Sequence, residues 1–374
     1  MRIVVTGARG FLGSNLRTRL REAGFTDVVP LPHDAGDATL GVTLEGADFV
    51  FHLAGVNRPP REDEFASGNA GFTERVASAL AAAATRRGRT IPVAYASSTQ
   101  AASDNAYGKS KRAAEQSLAR YGEATGAPVY LFRLTNVFGK WSRPNYNSAV
   151  ATLCHNLARG LPIQIHDDKA ALRLLYVDDV CSALLALLQQ PGGPGGFVEV
   201  EPVYATTVGE LAATLRSFVE SRSTLLAPPV GTGLARALWA TYLSFLPPES
   251  FAYTVPRYAD QRGEFVELVR TPDRGQLSYF TAHPGITRGE HYHHSKTEKF
   301  LVLQGKARFG FRHVDTDDRY EIVVEGGQGR VVETVPGWTH NVTNVGDTEL
   351  IVMLWASELF DRERPDTVAM KVQP

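Results

Sequence analysis

Along the first half of the chain, apolar positions come in short consecutive runs, and between these runs they recur at helical spacing. RIVVTG, DFVFHLAG, IPVAYASS and PVYLFRLTNVFG are rich in β-branched and aromatic residues and end in a turn or a polar cluster, which predicts strands. FLGSNLRTRLREAG, FTERVASALAAAATRRG and YGKSKRAAEQSLARYGEATG carry apolar residues three and four apart and predict helices. Strands alternating with helices give a parallel sheet covered on both faces. QQPGGPGG, Gln189 to Gly196, marks a loop, followed by strand-like FVEVEPV and a helix from Val208 to about Ser221. The proline-bearing stretch from Leu226 to Pro256, around helix-like LARALWATYLSFL, reads as the last element of this domain plus a connector.

Beyond it the period changes. GEFVELV, GQLSYFTA, KFLVLQGKARFGFRHV, RYEIVVEG and ELIVMLWAS alternate, are separated by Gly or Asp turns, and show almost no helical spacing. They predict an all-β sandwich or barrel of about 120 residues. The expected organisation is an α/β domain over residues 1–250 and a β domain over residues 251–374.

Composition changes this picture little. A length of 374 residues, 43% of them hydrophobic, suffices for two cores. The net charge of −1 leaves no electrostatic footprint for nucleic acid or anionic lipid. Cys154 and Cys181 sit in apolar-periodic segments and read as buried free thiols rather than a disulfide. The start lacks a signal peptide's long apolar region, and runs such as VCSALLALL, Val180 to Leu188, fall short of the roughly 18 residues of a membrane span. A reducing cytoplasm is expected, with no membrane partner.

The chemistry sits at both ends. Gly7-Ala-Arg-Gly10-Phe-Leu-Gly13 follows a predicted strand and opens a helix, where glycines allow a pyrophosphate to approach free N–H groups. Tyr107-Gly-Lys-Ser-Lys111 places Tyr107 and Lys111 on one helix face, so the ammonium can lower the phenol's pKa toward a useful range. Upstream, Ser97, Ser98 and Thr99 supply hydroxyls at a strand end. The second strand, TDVVPLPHD, does not end in an acidic residue that would bind a ribose 2′-hydroxyl. Arg9 and His33 could instead meet a 2′-phosphate, so NADP(H) is favoured, with Asp34 as the residue that could reverse this.

In this order, loop, hydroxyl cluster and Tyr-x-x-x-Lys resemble the extended short-chain dehydrogenase/reductase family, a Rossmann-like fold. HLAG (52–55), RLTNVFG (133–139) and YVDDV (176–180) extend the match. The resemblance implies that Ser98, in preference to Ser97 or Thr99, orients the substrate oxygen. It implies that Tyr107 moves the proton and that Lys111 tunes Tyr107 and holds the nicotinamide ribose. Gly7, Arg9, Gly10, Phe11, Leu12, Gly13, His33, Leu53, Ala54 and Gly55 would line the cofactor, with Arg133 and Asn136 beside a nucleotide-sugar. One departure is the spacing: only eight residues separate Ser98 from Tyr107, fewer than in most of the family.

In the β half, GITRGEHYHHSKTEKFLVLQG crowds His291, His293 and Glu298 together, and PGWTHNVTNVG supplies His340. Histidines two apart on a strand share a face, and three imidazoles with a carboxylate suit Zn²⁺, Fe²⁺, Mn²⁺ or Ni²⁺. His294 reads as a neighbour, not a ligand. The pattern Gly285-x5-His291-x-His293-x4-Glu298-x6-Gly305, then Gly329…Pro336-Gly337-x2-His340-x3-Asn344, is similar to the cupin (jelly-roll) family, departing in its Pro-Gly step.

With HLAGVNRP, DNAYGKSK, RLTNVFGKWSRPNYNS and WASELFDRERPDT, the whole chain resembles the bifunctional capsular polysaccharide biosynthesis enzymes. That resemblance implies that the cupin epimerises C3 of a UDP-2-acetamido-2,6-dideoxy-4-hexulose. The reductase domain would then reduce C4 with NADPH to UDP-2-acetamido-2,6-dideoxy-L-talose, toward UDP-N-acetyl-L-fucosamine. It further implies a divalent metal, zinc first, a UDP-linked 4-keto-6-deoxy amino sugar as substrate, and a homodimer. The C3 proton is acidic only beside a C4 ketone, so epimerisation comes first. Tyr292, Lys296 and Lys299 are candidates for the base. A structural metal, a plain 4-reductase with an oligomerising cupin, and a non-enzymatic NADP(H) and sugar sensor are the alternatives.

Overall fold

The computed structural model describes residues 1–189 and 192–373. Tertiary contacts divide the chain into two units, Met1–Leu215 with Gly231–Pro247, and Arg216–Val230 with the chain from Pro248 onward. By these contacts Arg216–Val230 groups with the β unit although it precedes residue 250. The cause is backbone pairing: Arg270 donates to the Leu225 carbonyl and Ala227 to the Arg270 carbonyl, both at 2.7 Å.

In the first unit a six-stranded sheet runs in the order Val28–Leu31, Ile3–Thr6, Phe49–His52, Val93–Ser98, Val129–Leu134, Gly196–Phe197. All of its pairs are parallel. The chain steps outward from Ile3–Thr6 to Val28–Leu31 and then returns across it to Phe49–His52. This switch opens a crevice at the carboxyl ends of Ile3–Thr6 and Phe49–His52, the usual ligand position in doubly wound sheets. Val4, Val50, Val93, Leu80 and Leu118 form part of the buried core that fixes these strand ends. Helices Phe11–Glu22, Phe72–Arg87 and Ala106–Thr125 match the three predicted ones. Of the predicted loop 189–196, Gln190 and Pro191 lie outside the described residues. FVEVEPV contributes only its first residue to a strand, Gly196–Phe197. Both cysteines are free and buried.

The second unit carries two antiparallel sheets. One runs Arg257–Asp260, Gly263–Thr271, Gly275–Ala282, Leu350–Ala356, Glu298–Gln304, Val331–Glu333; the other runs Arg319–Glu325, Lys306–His313, Trp338–Asn344, Thr287–Tyr292, Val368–Ala369. Alternation places Phe280, Phe300, Val302, Phe309, Val342 and Val352 in one buried cluster, the core of the all-β sandwich or barrel predicted from the period-two pattern. Among the described residues no helix is long and apolar enough to cross a membrane.

Candidate functional site

The glycine loop is sterically obligatory. Gly7 has φ +63°, and a Cβ there would lie 2.7 Å from the Ala54 nitrogen. A Cβ on Gly13 would lie 2.2 Å from the Gly7 carbonyl oxygen. Gly7, Gly10, Phe11, Leu12 and Gly13 thus turn from strand to helix against Leu53 and Ala54, at the sheet's switch point, leaving the cradle a pyrophosphate requires. Arg9, His33 and Asp34 are exposed beside it.

Below the cradle runs a buried polar chain. His52 Nδ1 and Nε2 hydrogen-bond Thr6 Oγ1 at 2.7 Å and Thr73 Oγ1 at 2.8 Å. Thr6 Oγ1 also accepts from the Ala54 N–H. His52 is therefore a structural residue supporting the loop. Burial pushes its pKa down to about 3, with the Lys111 charge adding to the effect. The unfolded chain titrates near 6.5. The stabilisation from neutral His52 is complete above that pH, declines as pH falls toward about 3, and is lost below it. The unfolding free energy of the first unit, read from urea titrations, should therefore fall between pH 6.5 and 4, by up to about 1.4 kcal/mol per pH unit, and more shallowly in His52→Asn.

The short spacing between Ser98 and Tyr107 closes as one tight turn. Ser98 ends its strand, Thr99–Ala102 forms a 3₁₀ turn, and Asn105 caps the next helix by accepting from the Gly108 N–H at 2.7 Å. Tyr107 comes back to Ser98. Burial pushes the Tyr107 pKa up, partly offset by hydrogen bonding with the Ser98 hydroxyl. The net direction is upward because burial outweighs the Ser98 hydrogen bond. Lys111 is buried, donates to Ala96 O at 2.8 Å and Tyr95 Oη at 3.2 Å, and is itself pushed down to about 8 by burial, with Glu115 opposing. Its Nζ would sit 3.2 Å from a Cβ on Gly55, which brings helix Ala106–Thr125 against the Leu53–Gly55 segment.

Glu115, one helical turn past Lys111, was not foreseen. It accepts from Ser97 Oγ at 2.5 Å and from both arms of Arg133 at 3.0 and 2.7 Å. Ser97 is thereby occupied and Thr99 is exposed, leaving Ser98 as the hydroxyl beside Tyr107. The Arg133 fork is bound to Glu115 and its guanidinium lies 4.4 Å from the Phe197 ring, so it is an anchor between strands in this structure. Asn136 is exposed and donates to the Arg173 carbonyl.

In the β unit the four predicted ligands converge. Their donor atoms all lie within 4.8 Å of one another. His291 pairs with His340 across adjacent strands, past a bulge at Gly289/His291 where Glu290 takes φ 65°. Glu298 Oε2 is 3.3 Å from His293 Nε2 and 3.4 Å from His340 Nε2. His293 Nε2 and both His340 nitrogens are buried without hydrogen-bond partners. Burial pushes the Glu298 carboxyl up, but the flanking His293 and His340 rings outweigh it and hold the group well below the usual range. Burial also lowers His291 to about 4, which leaves its ring neutral beside the Glu298 carboxylate. Orphaned buried nitrogens around an anionic oxygen fit a divalent cation.

Tyr292 faces away, its ring on exposed His294 at 5.3 Å, and exposed Lys299 pairs with Glu333. Lys296 is buried, lowers His291's pKa by its charge, and donates to Thr367 Oγ1 at 2.9 Å.

Residues 3–200 match the NAD dependent epimerase/dehydratase family, and residues 258–368 match the polysaccharide biosynthesis C-terminal domain. The chain is 54% identical to a UDP-2-acetamido-2,6-beta-L-arabino-hexul-4-ose reductase of Pseudomonas aeruginosa, covering 100% of this chain and 99% of the relative. It is similar to the capsular polysaccharide assembling protein CapF from Staphylococcus aureus, with 40% identity, full coverage of both chains and a TM-score of 0.91. A CapF structure with the inhibitor 3-isopropenyl-tropolone shares 36% identity at a TM-score of 0.86, again over both whole chains.

Proposed function

We propose, from the premise that this chain belongs to the NAD dependent epimerase/dehydratase family, that it is a UDP-4-keto-sugar reductase of capsular polysaccharide synthesis that also inverts C3 of its substrate. The observation that carries the two-step reading is the pairing of a complete Ser98–Tyr107–Lys111 set with a converged His291–His293–Glu298–His340 cluster in one chain.

The substrate in this reading is a UDP-2-acetamido-2,6-dideoxy-4-hexulose and the product UDP-2-acetamido-2,6-dideoxy-L-talose, on the route to UDP-N-acetyl-L-fucosamine. The first unit binds NADPH through the Gly7–Gly13 cradle, Leu53–Gly55 and Lys111, with Arg9 and His33 toward the 2′-phosphate. The four-residue cluster would hold a divalent metal, zinc first. The chemistry expected of these groups when bound is hydride delivery to C4 and Lewis-acid stabilisation of negative charge on the C4 oxygen. CapF takes an inhibitor, 3-isopropenyl-tropolone, whose two adjacent oxygens are a chelating pair for divalent ions.

The chain's own residues do the rest. Ser98 hydrogen-bonds the C4 oxygen, and Tyr107, kept protonated by burial, delivers the proton to it. Lys111 stabilises the phenolate left behind. Of the three base candidates, Lys296 alone is buried beside the ligand cluster; as the neutral amine it would take the C3 proton, and the carbon would take one back from solvent on the opposite face. Inversion precedes reduction, since loss of the ketone removes the acidity at C3.

Incubating the 4-keto sugar with the protein in D₂O tests the scheme. Deuterium should enter C3 without NADPH, and NADPH oxidation should follow only when the cofactor is added. Reduction with no exchange at C3 would leave a plain reductase with a structural cupin.

A further inference from the structure

The last strand of the chain, Val368–Ala369, pairs with His291 and Tyr292. The segment around it does more than close the sheet. The Asp366 carbonyl lies 2.6 Å from His293 Nδ1. A carbonyl can only accept, so Nδ1 carries the proton and Nε2 presents its lone pair to the cluster. The carboxylate of the same residue accepts from the N–H groups of His294, Ser295 and Lys296 at 3.0, 2.9 and 2.8 Å, and from Ser295 Oγ at 3.0 Å. Those residues are the turn that joins His293 to Glu298. A φ of 37° lets Asp366 reach both targets at once. Thr339, next to His340, donates to the Met370 carbonyl, so the same tail also touches the strand of the fourth ligand.

We propose that Asp366 is a positioning residue for the metal cluster: its carbonyl sets the tautomer of His293, its carboxylate sets the His294–Lys296 turn, and divalent-metal affinity depends on both. This inference rests on the reading of His291, His293, Glu298 and His340 as metal ligands.

The test is zinc titration of the metal-stripped full-length protein against a chromophoric chelator, with Co²⁺ absorption as a second readout. Asp366→Ala should weaken zinc binding by about 10- to 100-fold and alter the cobalt ligand-field bands. Asp366→Asn tolerates the positive φ and keeps one acceptor oxygen, so its affinity should fall between Ala and wild type. It also decides the matter if the Ala variant does not fold. Wild-type affinity and cobalt spectra in the folded variants, with only a lower Tm of the metal-free protein, would overturn the inference. Failure of the underlying ligand reading looks different: wild type would take up no zinc or cobalt, or His291→Ala would bind them as wild type does.

Discussion

Tyr107→Phe is expected to lower NADPH-driven reduction of the 4-keto sugar by about 10²- to 10⁴-fold, the usual worth of a positioned general acid. Hydride arriving at C4 leaves an alkoxide that needs a proton, and Phe has none to give. Burial raises the phenol's pKa, so at neutral pH Tyr107 is in the protonated form that a reduction consumes. Lys111 complements it with a charge held at a pKa of about 8. Below that value Lys111 is an ammonium and Tyr107 is neutral, the productive pair. Above it the ammonium is lost, so kcat/KM should hold toward acid pH and fall as pH rises past about 8. Lys111→Arg should move that limb upward, because a guanidinium does not titrate there. NADPH absorbance across a pH series reads all three outcomes. Retention of wild-type reduction in Tyr107→Phe would remove Tyr107 from the reaction.

His291→Ala should abolish deuterium incorporation at C3, and so should removing bound metal with a chelator, while zinc restores the stripped wild type alone. The reason lies in the unpaired buried nitrogens. His293 Nε2 and His340 Nε2 flank Glu298 with no hydrogen-bond partner, and His291 faces His340 at a ring distance of 4.7 Å. Removing one imidazole leaves an incomplete donor set around a buried carboxylate, which costs the site its affinity for a cation. Tyr107→Phe should exchange C3 at the wild-type rate, so the two variants separate the two steps. Exchange that survives both His291→Ala and chelation, with only Tm reduced, would assign the cluster a structural role.

Much of this was legible locally. The Gly7–Gly13 turn, the Tyr107/Lys111 spacing and the histidine cluster are short-range patterns in which backbone sterics or one helical turn fix the outcome. Other features were not. Glu115 lies four residues from Lys111, a visible spacing, yet its partners Ser97 and Arg133 come from two other strands. The rise in Tyr107's pKa depends on burial, which no spacing reports. Asp366 is about seventy positions from the turn it caps, and no local signal marks it.

By itself, then, the sequence determined the change from α/β to all-β architecture, the glycine turn, and the candidate side chains for the chemistry. Periodicity and glycine sterics act over a few residues, so these are written along the chain. Only the tertiary structure decided which hydroxyl serves Tyr107, that Arg133 is an anchor in this state, and that His293 is aimed by the far end of the chain. Each of those depends on contacts between strands distant in sequence and on the desolvation such packing imposes, and neither exists until the fold has formed.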